Sequence, residues 1–229
     1  MKIISSDAPA ITAANYLNQS LNENTARSVL LMLSGGSALT ILEHIDISLL
    51  SPRITITTLD ERFSTDPAVN NFAQIKATDF FPQAIAQGIE TISTTVEDNE
   101  TLEEAGERFT TALHHWKNTH PDGVVIATMG VGIDGHTAGI FPHQSNFDYE
   151  TADWVVSYEI APEVNPYTQR ITVTPTFLKT QITQVIGLIT GEEKREVLDQ
   201  LQDSDCSFTE VPACVIRDMQ SVAIVTDSK

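Results

Sequence analysis

Three observations predict an α/β fold with a largely parallel, twisted sheet flanked by helices. Short apolar runs alternate with longer amphipathic segments along 229 residues, as repeated strand–helix units do. Apolar residues make up 41% of the chain and charged residues 19%, ordinary globular usage that excludes wholesale disorder and fibrous repeats. The apolar runs also end at glycine or acidic clusters, and in open α/β sheets ligands sit beyond the carboxyl ends of the strands. A single domain spanning 1–229 is expected, since no linker, internal repeat or low-complexity tract interrupts the pattern.

The first amphipathic segment, 10–21, patterns as a helix. The run 28–33 is a buried-strand candidate ending at Ser34-Gly35-Gly36-Ser37, with a helical stretch over 38–44 after it. Glycines there let backbone N–H groups turn toward an anion, with the helix N-terminus adding its positive end. The bland alternative is a strand-to-helix turn with Ser37 as N-cap. The β-branched run 53–59 reads as a strand ending at Asp60-Glu61-Arg62, and 68–80 reads as a helix. The acidic stretch 97–107 begins a solvated helix over 101–119. Asp122-Gly123 opens a strand over 124–129 that ends at a glycine cluster. Further strands are read at 154–159, 170–174, 185–190 and 222–225, with a helix over 192–202.

Charge narrows the partners. Thirteen Lys and Arg face 31 Asp and Glu, for a formal −18. So negative a surface repels nucleic acid and disfavours anionic membranes. A small anion is bound only where a few of the scarce cations gather. Cys206 and Cys214 have neither redox C-x-x-C nor zinc-knuckle spacing, and two idle thiols are expected. Ala8-Pro9-Ala10 imitates a signal-peptidase site, but only two apolar residues precede it where a secretory core needs roughly 7–15. A cytoplasmic location is expected.

Gly130-Val131-Gly132-Ile133-Asp134-Gly135 matches G-x-G-x-x-G, yet it falls mid-chain and Pro142 stops any helix soon after it, so no dinucleotide site is expected. The glycines instead frame Asp134 and His136. A neutral imidazole can take a proton near pH 7, and a nearby carboxylate can fix its tautomer and stabilise its charged form. Set against this is a solvated loop histidine beside a turn aspartate. His114, His115 and His120 lack H-E-x-x-H spacing and read as a solvated helix end, and His143 as a loop residue at the cleft rim.

The segment from Met129 to Pro142, with Asp134-Gly135-His136-Thr137-Ala138 at its centre, resembles the signature of the 6-phosphogluconolactonases. These belong to the sugar-phosphate isomerase/lactonase group that also holds glucosamine-6-phosphate deaminase. Leu33-Ser34-Gly35-Gly36-Ser37 resembles the family's phosphate loop, Asp60-Glu61-Arg62 its D-E-R segment, and Asn70-Asn71-Phe72 the S-N-[YF] that follows. Gln169–Thr174 resembles its R-I-T strand, and Gly191–Lys194 its late G-x-x-K. The resemblance implies a Rossmann-like fold and hydrolysis of a phosphosugar lactone without metal or organic cofactor. His136 would be the general base, held by Asp134. Ser34, Gly35, Gly36, Ser37, Asp60, Arg62, Arg170 and Lys194 would bind substrate, the three cations taking its phosphate.

Each role has a plainer rival. Arg170 is otherwise a surface charge, Arg62 a structural partner of Glu61 or Asp60, Lys194 half of a salt bridge with Glu192 or Glu193, and Asp60 an acidic strand end. The related deaminases follow D-G-H with a segment ending N-E-P, whose glutamate assists the histidine. Phe141 stands at that place here, and phenylalanine relays no proton. A deaminase, a phosphosugar isomerase and a non-catalytic phosphosugar binder remain as alternatives. The chain departs from the lactonase pattern at Ala38-Leu39, at Phe63–Pro67, and at Pro166–Gln169 before Arg170.

Overall fold

The structure is a computed structural model that describes residues 1–228. In chain order its strands and helices are β1 (Lys2–Ser5), α1 (Pro9–Glu23), β2 (Val29–Leu33), β3 (Ile54–Thr58), β4 (Asp60–Arg62), α2 (Asn71–Lys76), α3 (Phe80–Ala86) and β5 (Glu90–Thr91). There follow α4 (Leu102–Thr119), β6 (Val124–Gly130), β7 (Val155–Glu159), β8 (Gln169–Val173), α5 (Pro175–Gln181), β9 (Gln184–Ile189), α6 (Arg195–Gln200) and β10 (Val222–Thr226).

Seven strands form one sheet in the order β1-β10-β9-β6-β2-β3-β5, every neighbouring pair parallel. From β2 the chain steps outward to β3 and β5, then returns to add β6 and β9 on the other side. That reversal is where open α/β sheets leave a crevice, and the ends of β2, β3, β6 and β9 all lie beside it.

The alternation of strand side chains sorts the core into two layers. Val29, Leu31 and Leu33 of β2 pack with Ala13, Leu17 and Leu21 of α1 and with Ile41 and Leu42. Leu30 and Met32 face the opposite layer, with Phe109, Leu113 and Trp116 of α4. Thr101 starts α4 with a capping box to Glu104, satisfying two otherwise orphaned backbone donors.

Several elements differ from the sequence reading. Strands β7 and β8 do not join the parallel sheet; with β4 they form a separate antiparallel sheet in the order β4-β8-β7. Residues 68–80 hold no single helix. Asn70 caps α2 by accepting from the Ala73 N–H, and Pro82, which has no N–H to continue that ladder, falls in the first turn of a new helix, α3. The stretch 38–44 belongs to a 3₁₀ helix, Gly36–His44, whose N-cap is Gly35 rather than Ser37. Residues 192–202 divide into a 3₁₀ turn, Glu192–Lys194, and α6. The idle-thiol reading is also corrected. Cys206 and Cys214 form a disulfide with Cα atoms 6.0 Å apart, within the usual span. Among the described residues no helix is long and apolar enough to cross a membrane.

Candidate active site

A cleft of about 250 Å³ opens at the reversal point, lined by Ser34–Ser37, Asp60, Arg62, Asn71, His136, Phe141, Asn165, Arg170 and Lys194 among others. Nine of the ten residues singled out from the sequence line it. The tenth, Asp134, stands behind His136.

One wall is backbone. Ser34 follows β2 directly, and its N–H donates to Thr128 Oγ1 on the neighbouring β6 at 3.1 Å. Gly36 has φ +63°, a conformation that costs a side-chain-bearing residue but not glycine. The loop can therefore turn sharply and still start the 3₁₀ helix at Gly36.

The second wall carries charge. Arg62 and Arg170 are direct cross-strand partners in the β4–β8 pair, an arrangement that is unfavourable for like charges unless an anion lies between them. Arg170 is only 2% exposed, so it is no surface charge. Its Nε donates to the Tyr167 carbonyl and one terminal nitrogen to Asn165 Oδ1, both at 2.9 Å. The other terminal nitrogen lies 3.8 Å from Asp60 Oδ2. Burial lowers the Arg170 pKa, opposed by the Asp60 charge and aided by that of Arg62. Arg62 forms no ion pair with Glu61 or Asp60 among the described residues; it donates to the Val69 carbonyl at 2.8 Å, and its Nε is buried without a partner. Arg195, not Lys194, pairs with Glu192, at 3.4 Å. Lys194 is thus left at the cleft with no ion pair among the described residues.

The third wall is the loop after β6. No helix follows Gly130-Val131-Gly132; the chain turns back through short bridges, Val131 to Thr137 and Thr137 to Ile140. The Gly132 N–H donates to the His136 carbonyl at 2.8 Å, and a Cβ on residue 132 would overlap the His136 ring and the Asp134 carboxylate. Glycine is needed there for space. Asp134 Oδ1 and His136 Nδ1 are 2.5 Å apart, with the two side chains 42% and 35% exposed. Burial works against the Asp134 charge, but the hydrogen bonds and charge of His136 outweigh it and hold the carboxyl below its usual range. The His136 ring stacks on Phe141, centroids 4.6 Å apart. Arg170 lies over that same phenyl ring at 5.1 Å, so one aromatic side chain stands between the imidazole and the guanidinium.

Sequence reasoning assigned no role to Asn165, which lines the cleft and orients Arg170. Its signal was Asn165-Pro166, since Asn before Pro favours a turn, and Asn165 Oδ1 does accept from the Tyr167 N–H at 3.0 Å. Asn71 lines the cleft as well. His143 is exposed and ties its loop to the Thr209 carbonyl, away from the cleft lining. His114 stacks on Trp154 and His120 folds onto the Trp116 carbonyl.

The chain matches the family model described as glucosamine-6-phosphate isomerases/6-phosphogluconolactonase over residues 5–225. It belongs to this family. The glucosamine-6-phosphate isomerase/6-phosphogluconolactonase relatives include a 6-phosphogluconolactonase from Haemophilus influenzae, 34% identical over 98 residues, or 42% of this chain and 40% of the relative. The aligned stretch thus spans about two fifths of that relative's length. Among solved structures of the family fold, a 6-phosphogluconolactonase from Trypanosoma brucei superposes with a TM-score of 0.75 at 18% identity, covering 98% of this chain and 95% of that one. One from Shewanella baltica gives 0.77 at 21%, covering 98% and 96%.

Proposed function

We propose that this chain hydrolyses 6-phospho-D-glucono-1,5-lactone to 6-phosphogluconate, a cytoplasmic step of the pentose phosphate pathway. The observation that carries the reading is the pairing of His136 with Asp134 across one cleft from the opposed Arg62 and Arg170. A base held by a carboxylate suits proton transfer, and two facing guanidiniums suit a phosphate. Phe141 at the deaminase glutamate position favours lactone opening over amino-sugar chemistry.

In the proposed mechanism the substrate phosphate sits against the Ser34–Ser37 backbone, with Arg62, Arg170 and Lys194 as its cations, and Asp60 orients a sugar hydroxyl. His136 Nε2, which has no hydrogen-bond partner among the described residues, takes a proton from water as the water oxygen attacks C1. The C1–ring-oxygen bond then breaks, and the imidazolium returns the proton to the departing ring oxygen. Asp134 keeps Nδ1 protonated and stabilises the transient imidazolium. No step calls for a metal or organic cofactor.

The test is proton release from freshly made lactone against a no-enzyme blank, since the lactone also opens spontaneously. Rates well above the blank support the reading. A trace equal to the blank, with ammonia released from glucosamine-6-phosphate, would replace it by the deaminase.

A further inference from the structure

Glu61 is fully buried, pairs with no cation among the described residues, and has no part in the proposed chemistry. Its carboxylate accepts four hydrogen bonds. Oε1 takes the Arg62 N–H at 2.8 Å and the Asn71 N–H at 2.5 Å. Oε2 takes the Phe72 N–H and the Thr94 hydroxyl, each at 2.9 Å. These donors come from β4, from the start of α2, and from the segment beyond β5. Two of them, Arg62 and Asn71, line the cleft.

The linkage continues beyond Glu61. Asn71 Nδ2 donates to the Asp60 carbonyl at 3.0 Å, and the Asn71 amide stands so close to Gly35 that a Cβ on residue 35 would overlap it. One carboxylate is therefore bonded to the backbone of both Arg62 and Asn71, and Asn71 in turn abuts the loop at Gly35. A residue serving only to fill space would be apolar, because a buried carboxylate without a counter-ion costs stability unless its acceptors are used.

We infer that Glu61 is a positioning residue for substrate binding, a hydrogen-bonding node that locks Arg62 and Asn71 against the phosphate loop. The inference rests on the phosphosugar reading of the cleft. Carboxamide in place of carboxylate turns one acceptor oxygen into a donor, which cannot meet both the Phe72 N–H and the Thr94 hydroxyl as the carboxylate does. Glu61→Gln should raise the lactone KM and the 6-phosphogluconate Kd by about tenfold, the worth of one misplaced buried hydrogen bond, with kcat within about threefold. Thr94→Val removes one donor, keeps the carboxylate, and should raise both constants by a smaller factor.

Calorimetric titration with 6-phosphogluconate, run beside the kinetics, separates the possibilities. Wild-type KM and Kd in a folded Glu61→Gln protein would overturn the inference. If that variant does not fold, Thr94→Val is read alone, raised constants supporting it and unchanged ones overturning it. If the unsubstituted protein neither turns over lactone nor binds 6-phosphogluconate, the functional reading is what fails. The Asn71 and Arg62 amide resonances then decide the positioning, which is overturned if neither substitution moves them.

Discussion

Two carboxylates face two nitrogen bases around one cleft, and the pairs are built in opposite ways. Asp134 and His136 meet at 2.5 Å with both side chains partly open to solvent. Asp60 and Arg170 stand 3.8 Å apart, nearly fully buried. A base that must gain and lose a proton needs access to water and one short, orienting bond. A cation that must hold a fixed position needs burial and several fixed acceptors, which Asn165 and the Tyr167 carbonyl supply in addition to Asp60. On the proposed reading, the first pair serves turnover and the second serves binding.

The sharpest way to break that contrast is on the exposed pair. His136→Ala should lower kcat by roughly 10²–10⁴, the usual worth of a general base, with the thermal midpoint nearly unchanged because the ring is a third exposed. Near-wild-type turnover in the purified variant would remove His136 from the mechanism. Asp134→Asn keeps the shape and removes the charge. Losing one charge-assisted hydrogen bond, about 1.5–3 kcal/mol, should lower kcat by about one to two decades with KM almost unmoved. A raised KM with intact kcat would mean that Asp134 serves binding instead.

On the buried pair the same kind of loss should appear in the other constant. Arg170→Ala should raise KM by about one to two decades, from a similar loss of about 1.5–3 kcal/mol, while kcat stays within a small factor. It should also lower the melting temperature, because Asp60 is left buried without its cation. Arg170→Lys tests the geometry. An ammonium cannot reproduce the forked contacts to Asn165 and Tyr167, so KM should remain raised although the charge is kept. Full recovery in the lysine variant would reduce the role of Arg170 to charge alone.

Much of this cleft was legible in the sequence because its walls follow strand ends, and strand ends are marked by glycine and acidic clusters. The order of β2, β3 and β6 brings Ser34, Asp60 and Gly130 together once the strands are known to be parallel neighbours. The small antiparallel sheet was not legible. Residues 154–159 and 170–174 carry the same apolar, β-branched signal as the strands of the large sheet, and nothing in that signal says which sheet a strand joins. The opposition of Arg62 and Arg170 arises only from the pairing of β4 with β8. The short strands β1 and β5 and helix α5 were missed as well. β1 and β5 are short edge strands with no buried residue, held by backbone pairing to β10 and β3, whereas Thr174-Pro175, an N-cap before a first-turn proline, was a usable mark for α5. Glu61 looked like a charge beside Arg62, and only the fold reveals it as the acceptor for four donors.

The smallest effect on chemistry, and the most direct check on that burial, is the response of stability to pH. Burial pushes the Glu61 carboxyl up to about 7, against the opposing pull of the Phe72, Asn71, Thr94 and Arg62 hydrogen bonds. A carboxyl raised from its ordinary 4.5 binds its proton more tightly in the folded state than in the unfolded one. Its contribution is full below about pH 4.5 and is lost as pH rises through about 7, because the unfolded chain ionises first. The protonated form needs one hydroxyl to turn, and Thr94 can do so, since its Oγ1 is 2.9 Å from Thr58 Oγ1 and can direct its own hydrogen there. Urea unfolding at pH 5 and pH 8 should therefore show the wild type losing up to roughly 3 kcal/mol more than Glu61→Gln across that interval. The comparison between the two proteins cancels the other carboxylates, including Asp134, whose lowered pKa acts in the opposite sense and at lower pH. Equal losses in both proteins would mean that Glu61 is already ionised at pH 5, its four donors outweighing burial.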